Sequence, residues 1–118
     1  MKTKLSGAVA YLFVSSFLMG CAAVPTSFES EPPYIRGYRW ASQYLTHSDL
    51  HPETLKLSRL AQSIEYNQPL DPLDVEASHR ILPDLHQDLL HYQRTGSYRI
   101  YLYSFYDSFT RGCWEAIE

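Results

Sequence analysis

From residue 34 to the end of the chain, apolar residues recur at intervals of three and four, the spacing of one face of an α-helix. This spacing predicts four helices, over residues 34–47, 52–67, 72–96 and 97–118. Pro52 fits the first turn of the second helix, and Asp71 before Pro72 is a typical start for the third. Asn-Gly and Asp-Gly hairpin signals are absent from the sequence. The pattern therefore predicts an all-α fold, a small bundle of about four helices.

The third predicted helix contains Pro83 in its interior. An interior proline removes a backbone hydrogen bond and costs about 3 kcal/mol unless the chain bends. The apolar stripe continues in phase on both sides, through Leu82 and Leu85. We therefore expect one helix with a kink at Pro83.

The last segment, residues 97–118, is rich in aromatic residues that favour strands. Its periodicity favours a helix instead, with Ser97 as the N-cap and with an early end at Gly112 left open. At 100° per residue, one sector about 120° wide holds no charged residue and is the predicted core face. That sector contains Tyr98, Tyr101, Leu102, Phe105, Phe109, Gly112, Cys113 and Ala116.

A second stripe of this helix lies away from that sector. Tyrosine, tryptophan and arginine are enriched at binding hot spots, because they combine a large contact area with a polar group. The stripe therefore predicts a partner-binding surface, and the alternative is that another helix covers it. Its residues are Arg99, Tyr103, Tyr106, Trp114 and Ile117.

The amino terminus has the build of an export signal. Lys2 and Lys4 precede an apolar run over residues 8–19, which is too short for a permanent membrane span. The run ends in Leu18-Met19-Gly20-Cys21. This sequence resembles the lipobox of bacterial lipoproteins, in which the cysteine is acylated and becomes the first residue.

The resemblance implies three parts: a signal peptide at residues 1–20, a lipidated cysteine with a flexible tether at 21–33, and a helical domain at 34–118. It also implies attachment to a membrane through acyl chains on Cys21. Ala22 follows the cysteine, whereas aspartate there commonly retains Gram-negative lipoproteins at the inner membrane. The resemblance thus implies an exported protein at the outer membrane, facing the periplasm.

Charge and cysteine content narrow the range of partners. The chain has 10 basic and 13 acidic residues, and removal of Lys2 and Lys4 with the signal leaves 8 against 13. An acidic domain without a basic run argues against nucleic acid as a partner. If Cys21 is acylated, Cys113 has no partner in the chain, so it is either buried or paired between molecules; its place on the apolar face favours burial.

The sequence has no catalytic motif. Gly-x-Ser-x-Gly is missing, and five histidines occur without Cys-x-x-Cys or His-Glu-x-x-His. His79 and His86 are seven residues apart and could face the same way. We expect no catalytic residue, no metal and no cofactor, and hence a protein that is not an enzyme.

Two functions are consistent with this pattern. The first is a membrane-anchored binding or assembly module for another envelope protein. Tyr44-Leu45, Asp49-Leu50 and Pro52 resemble the first helix junction of the pilotins of type II secretion (the PulS/OutS family), which hold a helical tail of the secretin. Those pilotins carry a paired-cysteine bridge, which this chain lacks. The second is a structural or exclusion lipoprotein that self-associates, with Cys113 as a candidate link.

Overall fold

The computed structural model describes residues 31–118, so the signal peptide, Cys21 and the tether up to residue 30 lie outside the described residues. Residues 31–118 contain no strand and form five α-helices. These are α1 (Pro33–Ser42), α2 (Leu50–Glu65), α3 (Pro72–Ile81), α4 (His86–Thr95) and α5 (Arg99–Ile117). The predicted small all-α bundle is confirmed for this part of the chain. None of these five helices is long and apolar enough to cross a membrane.

Two glycines allow the backbones of α1 and α5 to touch. A Cβ on Gly37 would lie 1.9 Å from the backbone oxygen of Phe109, and a Cβ on Gly112 would lie 2.0 Å from that of Tyr34. Any side chain at either position would therefore push the two helices apart. The early end left open at Gly112 does not occur: α5 continues to Ile117, and Gly112 is buried in this contact.

The apolar stripe of α2 faces the core, as its spacing predicts. Leu57, Leu60 and Ile64 are fully buried. Burial of a leucine or isoleucine side chain contributes roughly 1.5–3 kcal/mol each. The other helices add buried residues around this stripe, among them Ala41, Ala77, Leu89, Leu102 and Phe109.

The kink predicted at Pro83 is wrong, because the chain breaks there into two helices. α3 ends at Ile81, Leu82 has φ −130° and ψ 64°, and residues Pro83–Leu85 form a 3-10 turn before α4. Proline disfavours helical backbone in the residue before it and lacks an N–H, which favours the end of α3 at this point. The apolar stripe nevertheless faces the core on both sides of the proline, as predicted, since Leu82, Leu85 and Leu89 are all buried.

Two helix-terminal residues act as their sequence context predicts, and one does not. The side chain of Asp71 accepts a hydrogen bond of 2.8 Å from the backbone N–H of Leu73 and so caps α3 as predicted. Gly96 ends α4 in the left-handed conformation, at φ 78°. The prediction of Ser97 as the cap of α5 is wrong: Tyr98 occupies that position with φ 72°, and no side chain caps the helix.

α1 ends at Ser42, earlier than predicted, and residues 43–46 form turns. An ion pair between a buried arginine and a partly exposed aspartate fastens this short helix to the 3-10 turn. The guanidinium of Arg36 donates to both carboxylate oxygens of Asp84, at 2.9 and 3.1 Å. It also lies over the ring of Phe105, 5.3 Å from the ring centroid. Contacts between residues 48 apart in sequence thus hold the break at Pro83 in place.

Candidate partner-binding groove

The stripe of α5 that predicted a binding surface faces the interior at Tyr106. This side chain is fully buried, and its hydroxyl lies 2.6 Å from the hydroxyl of Ser78 on α3. Burial raises the pKa of Tyr106 above its ordinary value. Tyr106 therefore packs the core, and its predicted exposure is wrong.

Arg99 binds the end of α2. Its side chain donates a hydrogen bond of 2.9 Å to the backbone oxygen of Ile64, and a second to the backbone oxygen of Glu65. The last carbonyls of a helix have no partner within the helix, and a cation there also interacts favourably with the helix dipole. Arg99 therefore caps α2 and links it to the start of α5.

Trp114 and Ile117 are partly covered by the same packing. The indole nitrogen of Trp114 donates to the hydroxyl of Ser58 on α2, at 3.1 Å, and its ring lies 5.2 Å from that of His51. Ile117 packs against the edge of the core. α5 packs more extensively against α1 and α2 than it does against α3 and α4. The sequence left open that another helix covers this stripe. That alternative is therefore correct for most of the length of the stripe.

A groove remains open between α2 and α5, with a volume of about 360 Å³. Tyr103 and Trp114 line it from α5, and Tyr66, at the end of α2, is 61% exposed on the opposite side. Ala61 and Thr110 are buried at its base. Tyr103 and Trp114, two of the five residues of the predicted surface, thus lie beside Ala61 and Tyr66 from α2 and its end.

The rim of the groove carries charges of both signs. Arg111 donates to the carboxylate of Asp107 at 2.9 Å, the i+4 pair that their spacing predicts. The same carboxylate is the largest cause of the raised pKa of the Tyr103 hydroxyl, followed by partial burial and by Glu65. The groove therefore combines apolar walls with charged edges, an arrangement suited to an amphipathic segment.

Sequence reasoning missed Tyr66 and Arg111 as residues of this groove. Tyr66 follows the last residue of α2, and nothing in the local pattern places it beside α5. The i+4 spacing of Arg111 from Asp107 predicts an ion pair between them, but it does not place Arg111 beside α2. Conversely, Tyr98 and Tyr101, predicted to be core residues, are each 50% exposed at the start of α5.

A second, larger cavity of about 490 Å³ lies where α1 leads into α2. Trp40 and Tyr44 border it, and Glu53 and Arg80 form an ion pair at its edge. Tyr44 and Leu50, on either side of the junction between α1 and α2, also line it.

The histidines lie in separate places, apart from one pair. His79 and His86 face each other across the break at Pro83, with ring centroids 4.0 Å apart, whereas His91 contacts Tyr98. Over residues 31–118, no three side chains of the metal-binding types converge to hold an ion.

Cys113 is buried against α1. Its thiol donates to the backbone oxygen of Gly37, at 3.4 Å, and burial raises its pKa to about 12. The predicted burial of this cysteine is confirmed. Cys21, the predicted lipidation site, lies outside the described residues. Comparison with known protein families, curated proteins and solved structures found no match for this chain.

Proposed function

We propose that this chain is a lipid-anchored, non-catalytic binding module of the bacterial envelope. In this proposal the groove between α2 and α5 holds an amphipathic segment of another envelope protein. The observation that carries the proposal is the groove itself, where Tyr66, Tyr103 and Trp114 border a base of small buried residues. Aromatic side chains at a concave contact site contribute a large share of binding energy in protein complexes.

Attachment to the membrane is proposed from the sequence. Leu18-Met19-Gly20-Cys21 supplies the lipobox, and Ala22 favours the outer membrane, with the domain in the periplasm. The proposal assigns no catalytic residue, metal or cofactor, in keeping with a sequence that lacks the corresponding motifs. Nucleic acid is not a proposed partner, because the domain is acidic.

The more specific form of the proposal is a pilotin-like factor whose partner is an amphipathic helix of a secretin. Support comes from the helix junction at residues 44–52, which borders the 490 Å³ cavity. The self-associating alternative has lost one argument in its favour, because Cys113 is buried and cannot pair between folded molecules.

Photo-crosslinking in intact cells tests the groove. A photoreactive residue at Tyr66, which is 61% exposed, should capture one defined envelope protein, whereas the same group at Leu73, 59% exposed on α3, should not. Tyr66→Ala should weaken binding of the captured protein while leaving stability unchanged. Capture of a secretin would support the pilotin-like form. Equal labelling at both positions, or no capture at Tyr66, would overturn the groove.

The anchor has a separate test. Cys21→Ser should leave the chain soluble or uncleaved in fractionated cells, since the acylated sulfur would be missing. Unchanged membrane association of this variant would contradict lipidation at Cys21. The domain would then be held at the membrane in another way, and the binding role of the groove would be unaffected.

A further inference from the structure

α1 has one exposed apolar face that no other described helix covers. Tyr34, Ile35 and Tyr38 are 40%, 45% and 46% exposed. At 100° per residue, these three residues and Ser42 lie within about 100° of one another around the helix. On the same wheel, with Tyr34 at 0°, the buried residues Arg36, Gly37 and Ala41 lie between about 200° and about 340°, outside this face. α1 is thus clearly two-sided, with aromatic and aliphatic side chains on its outer face.

Charge also distinguishes α1 from the rest of the domain. Among the five helices of residues 31–118, α1 is the one without an acidic residue, and it carries Arg36 and Arg39. Arg39 is exposed at the border of the outer face. One acid approaches this face from another helix: Glu115 of α5 lies close enough to the hydroxyl of Tyr34 to raise its pKa, although partial burial is the larger cause.

The position of α1 in the chain limits where this face can be. Eleven residues, 22–32, lie between Cys21 and Pro33, the first residue of α1. Fully extended, they span at most about 40 Å, and any bend shortens that distance. Among the five helices, α1 therefore begins closest along the chain to the acylated cysteine.

We propose that the outer face of α1 lies in the headgroup region of the bilayer that holds Cys21. This inference rests on the lipid anchor of the proposed function. Tyrosine is enriched at membrane–water interfaces, where its ring is buried and its hydroxyl remains hydrated. Ile35 adds an aliphatic contact. A single short helix binds a bilayer weakly by itself, but the anchor keeps it at high local concentration.

This orientation is consistent with an accessible groove. The residues of α5 that line the groove, such as Tyr103 and Trp114, lie nearly opposite those that contact α1, such as Phe109 and Gly112. With α1 against the bilayer, α5 still separates the groove from α1. A partner could then bind without displacing the domain from the membrane.

Collision accessibility of a spin label tests the proposal. The full chain is produced in a bacterium that processes lipoproteins, and it is reconstituted in vesicles of phosphatidylethanolamine and phosphatidylglycerol. Ser42→Cys places a nitroxide on the outer face of α1. Glu76→Cys places one on the exposed side of α3, which packs on α2. Cys113 is buried and stays unlabelled.

We expect the label at Ser42 to collide with a water-soluble nickel chelate several-fold less often than the label at Glu76, and with oxygen more often. Tyr38→Ser should restore chelate access at Ser42 without unfolding the domain, because Tyr38 is largely exposed. In detergent, without vesicles, the two labels should be equally accessible. Protection that persists there would indicate protein contact and overturn the proposal.

The two proposals fail in different ways. If the chain floats with the vesicles but Ser42 is as accessible as Glu76, the membrane contact of α1 is wrong and the anchor stands. If the chain does not float with the vesicles, the anchor itself is wrong, and the inference about α1 falls with it.

Discussion

Gly37→Ala is the sharpest test of how α1 and α5 pack. The added Cβ would lie 1.9 Å from the backbone oxygen of Phe109, whereas real Cβ contacts are essentially never under 3.0 Å. α1 would have to move by the difference, at least 1.1 Å. The obstructing atom belongs to the backbone of a helix, so no side-chain rotation can relieve the clash.

Two effects of opposite sign compete in this variant. Replacing glycine by alanine inside a helix gains about 1 kcal/mol of helix propensity. Overpacking of a tight contact typically costs about 1–3 kcal/mol, occasionally more. Separation of the helices also loosens the packing around Ala41 and Cys113, so the clash should dominate. We expect a net loss of about 1–2 kcal/mol, which lowers the Tm by roughly 4–16 °C for a domain of this size.

Urea and thermal unfolding followed by circular dichroism measure this loss. Ser104→Ala, at an exposed site of α5, is the control for propensity alone and should change stability by less than about 0.5 kcal/mol. Cys113 gives a second readout, because its thiol contacts the backbone of Gly37 and should react faster in the variant. A Gly37→Ala protein as stable as the parent would refute the close crossing of α1 and α5.

Three further predictions follow from single contacts. The thiol of Cys113 should resist alkylation in the folded protein. Because burial raises its pKa from 9.0 to about 12, the folded state keeps a proton that the unfolded chain loses, so stability should fall as the pH rises above 9. Arg99→Ala should destabilise the domain by about 1–3 kcal/mol in urea unfolding, since the carbonyls of Ile64 and Glu65 each lose a hydrogen bond from a charged donor. Asp71→Ala should cost about 1 kcal/mol through the lost N-cap of α3.

Each of these predictions has a matched comparison. Arg94→Ala removes an exposed arginine and should be nearly neutral, so equal losses for Arg94 and Arg99 would contradict the capping role. Asp49 precedes α2 without a side-chain cap bond, so Asp49→Ala should cost less than Asp71→Ala. For Cys113→Ala, the decline in stability between about pH 9 and about pH 10.5 should be shallower than in the parent. An identical slope would show that other groups cause the decline.

Much of the secondary structure could be predicted because its determinants are local. The stripe of α2 was correctly assigned to the core from the spacing of Leu57, Leu60 and Ile64. The cap at Asp71 and the stop at Gly96 were also correct, since each depends on a few adjacent residues. The break at Pro83 was only half predicted. A proline permits either a kink or a break, and here the chain is broken and its turn is bound to Arg36 of a distant helix.

The candidate site could be predicted less well. Tyrosine suits both a surface and an interior, because its ring is apolar and its hydroxyl needs a partner. Tyr106 is buried because Ser78 supplies that partner, and Tyr103 remains at a groove because none of the described helices covers it fully. The periodicity of α5 showed two faces, but it did not indicate which neighbour would cover each one.

The sequence by itself determined that this part of the chain forms amphipathic helices, and it predicted an export signal and an acylated Cys21. Only the tertiary structure decided how those helices meet. Glycine lowers helix propensity, yet Gly37 and Gly112 lie where the backbones of α1 and α5 approach each other closely. The physical reason is one of range. Helix propensity and capping act over a few residues, whereas packing joins groups that are distant in sequence, such as Gly37 and Phe109.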